Sequence, residues 1–169
     1  MMARDRTFLV AIDDSEATLR AVSYVAETLG PQKGFEVVFL HVLPPIPPEL
    51  LEFGGSEDPK IEQQLDEQLK KEQAQWIAQA KQTAQPLIEK VKGMFLRVGI
   101  SADMITTVFA ESIHRPDFVR ELLETAHKQN CGTIVVGRKS YPTFQEMFHH
   151  HVGEELVQKG EGFAIWVVE

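Results

Sequence analysis

Cysteine is nearly absent from this chain. Cys131 is the single one in 169 residues, so no intrachain disulfide can form, and a reducing compartment fits. Its place between a helix pattern and a strand pattern suits a small buried residue rather than a reactive thiol. Long hydrophobic runs are also missing: none approaches the roughly 20 apolar residues that a membrane-spanning helix needs. No apolar segment follows the charged start Arg4-Asp5-Arg6, so no secretory leader is expected, and the expected location is cytoplasmic. Positive charge is in deficit. Lys and Arg number 17 against 25 Asp and Glu, a formal net charge of −8. That balance disfavours nucleic acid and anionic membranes as partners, and the local pair Arg138-Lys139 does not reverse it. Neither G-x-S-x-G nor G-x-x-x-x-G-K-[ST] occurs, so serine-hydrolase and P-loop chemistry have no support.

What is present alternates. Phe8–Ile12 is a short continuous apolar run, as in a strand buried on both faces. Asp13-Asp14-Ser15 follows and offers helix caps. Val22, Val25, Ala26 and Leu29 then repeat at helical spacing, and Gly30-Pro31 predicts the stop, with glycine as a C-terminal cap. Phe35–Val42 is the second strand. The prolines Pro44, Pro45, Pro47 and Pro48, then Gly54-Gly55-Ser56, predict an extended loop over 43–59.

Ile61, Leu65, Leu69, Trp76, Ala80, Leu87, Val91 and Phe95 place one long helix at about 60–97. Pro86 predicts a kink or break within it. The same stripe can be read as a dimeric coiled coil, but its a/d heptads are not sustained. Met104–Phe109 is the third strand. A helix carrying Phe118, Val119, Leu122, Leu123 and Ala126 follows, with Pro116 near its start. Gly132–Val136 is the fourth strand. Val152, Leu156 and Val157 mark a last helix, stopped by Gly160 and Gly162, and Phe163–Val168 is the fifth strand. Strand and helix repeated in this way predict one α/β domain over 1–169, doubly wound, with a five-stranded parallel sheet and helices on both faces.

In such a sheet ligands bind at the carboxyl ends of the strands, and helix N-termini there offer N–H groups to anions. The stretch from Thr133 to Gly153 has that layout: strand, Gly137, polar run, helix start. It has few of the glycines that a phosphate site uses.

Three segments carry a family resemblance. Val10-Ala11-Ile12-Asp13-Asp14-Ser15-Glu16 resembles the first strand and turn of the universal stress proteins. Leu40-His41-Val42 resembles the end of their second strand, and Ile134-Val135-Val136-Gly137 their fourth. The strand and helix order agrees over nearly the whole chain; the long loop and long second helix depart in length only. The resemblance implies a Rossmann-like fold, a role in stress response and, in one branch of the family, ATP held on G-x2-G-x9-G-[ST]. Laid on this chain, that motif begins at Gly137. Its later positions fall on Ser140, His150 and His151, with Val152 next. Adenine and ribose contacts would fall on Asp13 and Val42.

The replacements have chemical weight. Glycine lets backbone approach a phosphate and permits positive φ. Ser140 restricts both modestly. His150 puts an imidazole where backbone should touch the ligand, and His151 removes a hydroxyl donor. The expectation is a member that does not bind ATP in the family's usual way and needs no cofactor, the alternative being an ATP- or AMP-binding switch, with Mg, that uses the altered loop. An anion site of protonated histidines is disfavoured by the positive helix end. His149-His150-His151 is not a metal site, since consecutive helical residues diverge by about 100°.

No catalytic residue is assigned, and an enzyme is the weaker expectation. Asp13-Asp14 reads as a cap beside a solvated carboxylate, His41 as a satisfied strand-end histidine, and His114 and His127 as solvated. The last strand, apolar on both faces, would be an exposed liability at a sheet edge. In the family it pairs with its symmetry mate, which implies a homodimer through 163–168 with Trp166 at or near the interface, and an unidentified protein partner.

Overall fold

The structure, a computed structural model, describes residues 6–30, 32–52, 54–111, 117–138 and 152–169. Its elements run β1 (Thr7–Ala11), α1 (Glu16–Leu29), β2 (Glu36–Val42), α2 (Pro59–Arg97), β3 (Ile105–Ala110), α3 (Phe118–Lys128), β4 (Thr133–Gly137), α4 (Val152–Lys159) and β5 (Ala164–Val168). The strands form one sheet in the order β3-β2-β1-β4-β5, and every neighbouring pair is parallel. The predicted α/β architecture is the one found. No helix among the described residues is long and apolar enough to cross a membrane.

Strand alternation sorts the core into two layers. Phe8, Val10 and Ile12 of the first strand and its extension face α1 and α2, together with Val37, Phe39 and Val135. Leu9 and Ala11 face the other way, with Val38, Leu40, Ile134 and Val136, against α3 and α4. Cys131 is fully buried in this second layer. Both faces are therefore covered, which is why the inner strands read as continuous apolar runs.

Two local expectations change. Gly30 caps α1, but its backbone is right-handed helical (φ −54°, ψ −40°). Its use is space: a Cβ there would lie 2.6 Å from Val98 Cβ, just beyond α2. The second concerns Pro86, where the expected break does not occur. The helix runs unbroken through it, from Pro59 to Arg97. Pro86 and Gln82 are exposed, so the carbonyl that loses its partner four residues back faces water.

At about 1.5 Å per residue this helix is roughly 58 Å long. Its buried positions are Ala84, Ile88, Val91 and Phe95, with Phe95 edge-on to Phe39 at 5.4 Å between ring centres. The C-terminal half thus packs on the sheet, while Ile61 near the start is 47% exposed.

Candidate functional site

The chain turns away from β1 to one side and from β4 to the other, so the crevice at the switch point opens between their carboxyl ends. Ile12 extends the pairing by donating its N–H to the Leu40 carbonyl at 2.9 Å. Asp13 comes next. The β1–β2 register pairs Ala11 with Leu40, and carried two residues on it sets Asp13 beside Val42. Val10 pairs with Val135, which brings Gly137 level with Ile12. Asp13, Val42 and Gly137, far apart in sequence, therefore stand at the ends of three adjacent strands.

Asp13 is buried, at 8% exposure. Its Oδ1 accepts from Ser15 N at 2.9 Å, from the Ser15 hydroxyl, and from Thr18 Oγ1 at 2.6 Å. Thr18 Oγ1 in turn accepts from Asp13 N at 3.1 Å. The Ser15 hydroxyl accepts from Thr18 N, so Ser15 is the residue that caps α1. Asp14 is exposed. One carboxylate oxygen is thus saturated by the start of the helix. The other, Oδ2, is buried and has no hydrogen-bond partner among the described residues. Thr18 is the participant that pattern reading overlooks, because it sits inside the helix; its one signal is a Thr three residues after the capping Ser.

Val42 is buried and apolar, the last residue of β2. His41 donates Nδ1–H to the Ile12 carbonyl at 3.0 Å and lies edge-on to Phe109. That bond fixes its tautomer and makes it a strand-end tie, as its position suggests. Gly137 ends β4, paired with Val168. Arg138 N donates to the Val168 carbonyl, and its guanidinium pairs with Glu169. His127 is exposed and rests on the Phe163 ring.

Val152 opens α4 and is half-buried against the second core layer. Glu154 and Glu155 occupy the first turn of that helix. Ser140, His150 and His151, with His149 and also His114 and Pro116, lie outside the described residues. Among the described residues no cluster of His, Cys, Asp or Glu is arranged to hold a metal.

A nucleotide can be tested against this geometry in two halves. For the nucleoside half, the unpartnered Oδ2 of Asp13 is the right chemistry for an N–H or O–H donor, and its strand neighbour Val42 is apolar, but both are buried. The phosphate half has less in its favour, since the first turn of α4 already carries two carboxylates.

The sequence model of the universal stress protein family matches residues 6–161. The chain belongs to the universal stress protein family. A comparison with curated proteins finds no match. Solved structures of universal stress proteins share the fold. One from Burkholderia pseudomallei is 18% identical, with a TM-score of 0.52 over 98% of this chain and 96% of that one. A universal stress protein in complex with cAMP is 13% identical, with a TM-score of 0.61 over 99% of each chain. One from Archaeoglobus fulgidus in complex with dAMP is 16% identical, with a TM-score of 0.51 over the full length of both.

Proposed function

We propose that this universal stress protein is a dimeric regulatory module of the stress response, acting in the cytoplasm through protein partners, with no turnover chemistry and without ATP held in the family's usual way. The observation that carries the reading is the start of α4. Glu154 and Glu155 lie in its first turn, where negative charge favours the positive helix end and opposes a phosphate chain, Glu155 being also paired with Lys159. His150 and His151 stand at the motif positions just before it. The dimer is supported by β5, an edge strand whose Val167 is 44% exposed. Calorimetric titration with Mg-ATP tests the nucleotide half: heats indistinguishable from dilution are expected, and binding in the micromolar range would overturn it.

A second reading is favoured by Asp13. Its unpartnered Oδ2 suits a nucleoside hydroxyl or amino group, so an adenine nucleotide switch, with Mg where phosphates are present, is the alternative. Micromolar binding of AMP, cAMP or ATP that Asp13→Ala abolishes would establish it. The combined change Ser140→Gly, His150→Gly, His151→Ser sharpens the choice. If those side chains are what exclude phosphate, the triple variant gains affinity over the parent.

A further inference from the structure

The loop between β2 and α2 carries a proline pattern that the readings above leave without a role. Residues 43–47 have no regular secondary structure, and Pro48–Leu50 close them with a 3-10 turn. Each proline ring holds φ near −65°, and each residue before a proline is pushed toward extended ψ. Leu43, Pro44, Ile46 and Pro47 all precede prolines. Pro47 has φ −54°, ψ 141°, close to polyproline II, and no cis peptide bond occurs among the described residues.

A polyproline II helix has three residues per turn, so the segment has three edges. Leu43 and Ile46 share one edge, Pro44 and Pro47 the second, Pro45 and Pro48 the third. Burial follows that period. Leu43 is 1% exposed and Ile46 8%, while Pro44, Pro45 and Pro48 are exposed and Pro47 is half-buried. One edge is nailed into the protein and two proline edges face out. The ends are fastened as well. Leu43 N donates to the Ala110 carbonyl at 2.9 Å, and the Gln73 side-chain amide on α2 donates to the Leu50 carbonyl at 2.6 Å. A segment held this way has already lost the conformational freedom that binding would otherwise remove.

We propose that Pro44–Pro48 is a docking ridge for a partner domain that reads polyproline II through a groove of aromatic rings with a basic rim. The paired edges Pro44/Pro47 and Pro45/Pro48 supply the P-x-x-P register that such grooves take. The sign of the rim follows from charge: Glu49, Glu52, Glu57 and Asp58 lie in the loop, and no Lys or Arg occurs between Lys33 and Lys60. Glu49 and Glu52 are exposed. The ridge gives a chemical class to the protein partner of the regulatory reading above. It is tested without nucleotide, so its failure leaves that reading's own test intact.

The test uses isotope-labelled SH3, WW and EVH1 domains as probes, titrated with the full-length protein and followed by NMR. The expected result is saturable shifts in the aromatic groove of at least one domain, strongest where the rim is basic, at a Kd of about 10–100 μM. Replacing Pro44, Pro45 and Pro48 together by Ala should weaken that binding by about tenfold or more. Glu49→Lys with Glu52→Lys, which keeps every proline, should weaken it by a few-fold at low salt and less at high salt. The Glu49→Lys, Glu52→Lys variant, with side chains in solvent, should melt with the parent; the triple Ala variant should melt lower because alanine frees the unfolded chain, so all binding is compared at a temperature well below both transitions. No shifts from any of the three domains at about 1 mM, or binding that both variants retain in full, would overturn the proposal.

Discussion

Asp13 commits one oxygen to the fold and leaves the other buried without a partner among the described residues. Oδ1 gathers the Ser15 amide, the Ser15 hydroxyl and the Thr18 hydroxyl, and so ties the end of β1 to the first turn of α1. Thr18 is fully buried, so its hydroxyl cannot be replaced by water without rearrangement. Thr18→Val keeps the shape and removes the hydroxyl's bonds, leaving Asp13 N and Oδ1 each one partner short and ending the longer contact from the Ser15 hydroxyl. The expected loss is about 1–3 kcal/mol, seen as a lower denaturation midpoint at unchanged slope. A change below about 0.5 kcal/mol would mean that the ring of bonds contributes little. At this scale the sequence was half legible. Asp13, Val42 and Gly137 were marked by the resemblance to the universal stress proteins, and the strand pattern agrees with it by setting each at or just past the carboxyl end of a strand. Thr18 was not marked, because its role depends on the carboxylate folding back over the helix start, which no apolar period records.

Elements were legible where one periodicity ruled for a whole segment. Five expected strand segments became five strands, and the stripe from Ile61 to Phe95 became one helix. The misreadings fall where the opposite neighbour decides. A glycine after a helix is usually there for a left-handed turn, yet Gly30 is right-handed and is small because Val98 stands against it. Proline in a helix interior usually stops it, yet Pro86 sits on the wet side of α2, and the buried turns around Ala84, Ile88 and Val91 hold the helix together across it. Gly30→Ala separates the two kinds of cause by sign. Helix propensity alone predicts a gain of up to about 1 kcal/mol. Packing predicts a loss of about 1–3 kcal/mol, since a Cβ at 2.6 Å from Val98 Cβ must displace backbone. Destabilisation is expected, and a more stable variant in urea melts would show that the α1–α2 junction yields easily.

For the whole molecule the two sheet edges are unequal. At the β3 edge α2 reaches across: Lys81 pairs with Glu111 at 2.7 Å and lies over the Phe109 ring, and Thr106 puts a polar side chain outward. The β5 edge has the run Ala164-Ile165-Trp166-Val167-Val168. Trp166 is half-buried, edge-on to Phe8 and to the exposed Tyr24, and the strand borders a shallow cleft of about 460 Å³ with Tyr24 on its wall. An apolar edge of this kind invites pairing, and pairing it with its own copy closes the assembly by two-fold symmetry. Two copies each carrying −8 repel, so an apolar contact between them should tighten as salt screens the charge. A dimer is therefore expected by light scattering at micromolar concentration, firmer at high ionic strength than at low. Val167→Lys sets a charge on the edge strand in both copies at once. It should shift the protein to monomer, with association weakened by roughly 100-fold, while the far-UV circular dichroism of the fold is kept because Val167 is already 44% exposed. A parent that elutes as a clean monomer, or a Val167→Lys variant that remains as firmly dimeric as the parent, would remove β5 as the contact.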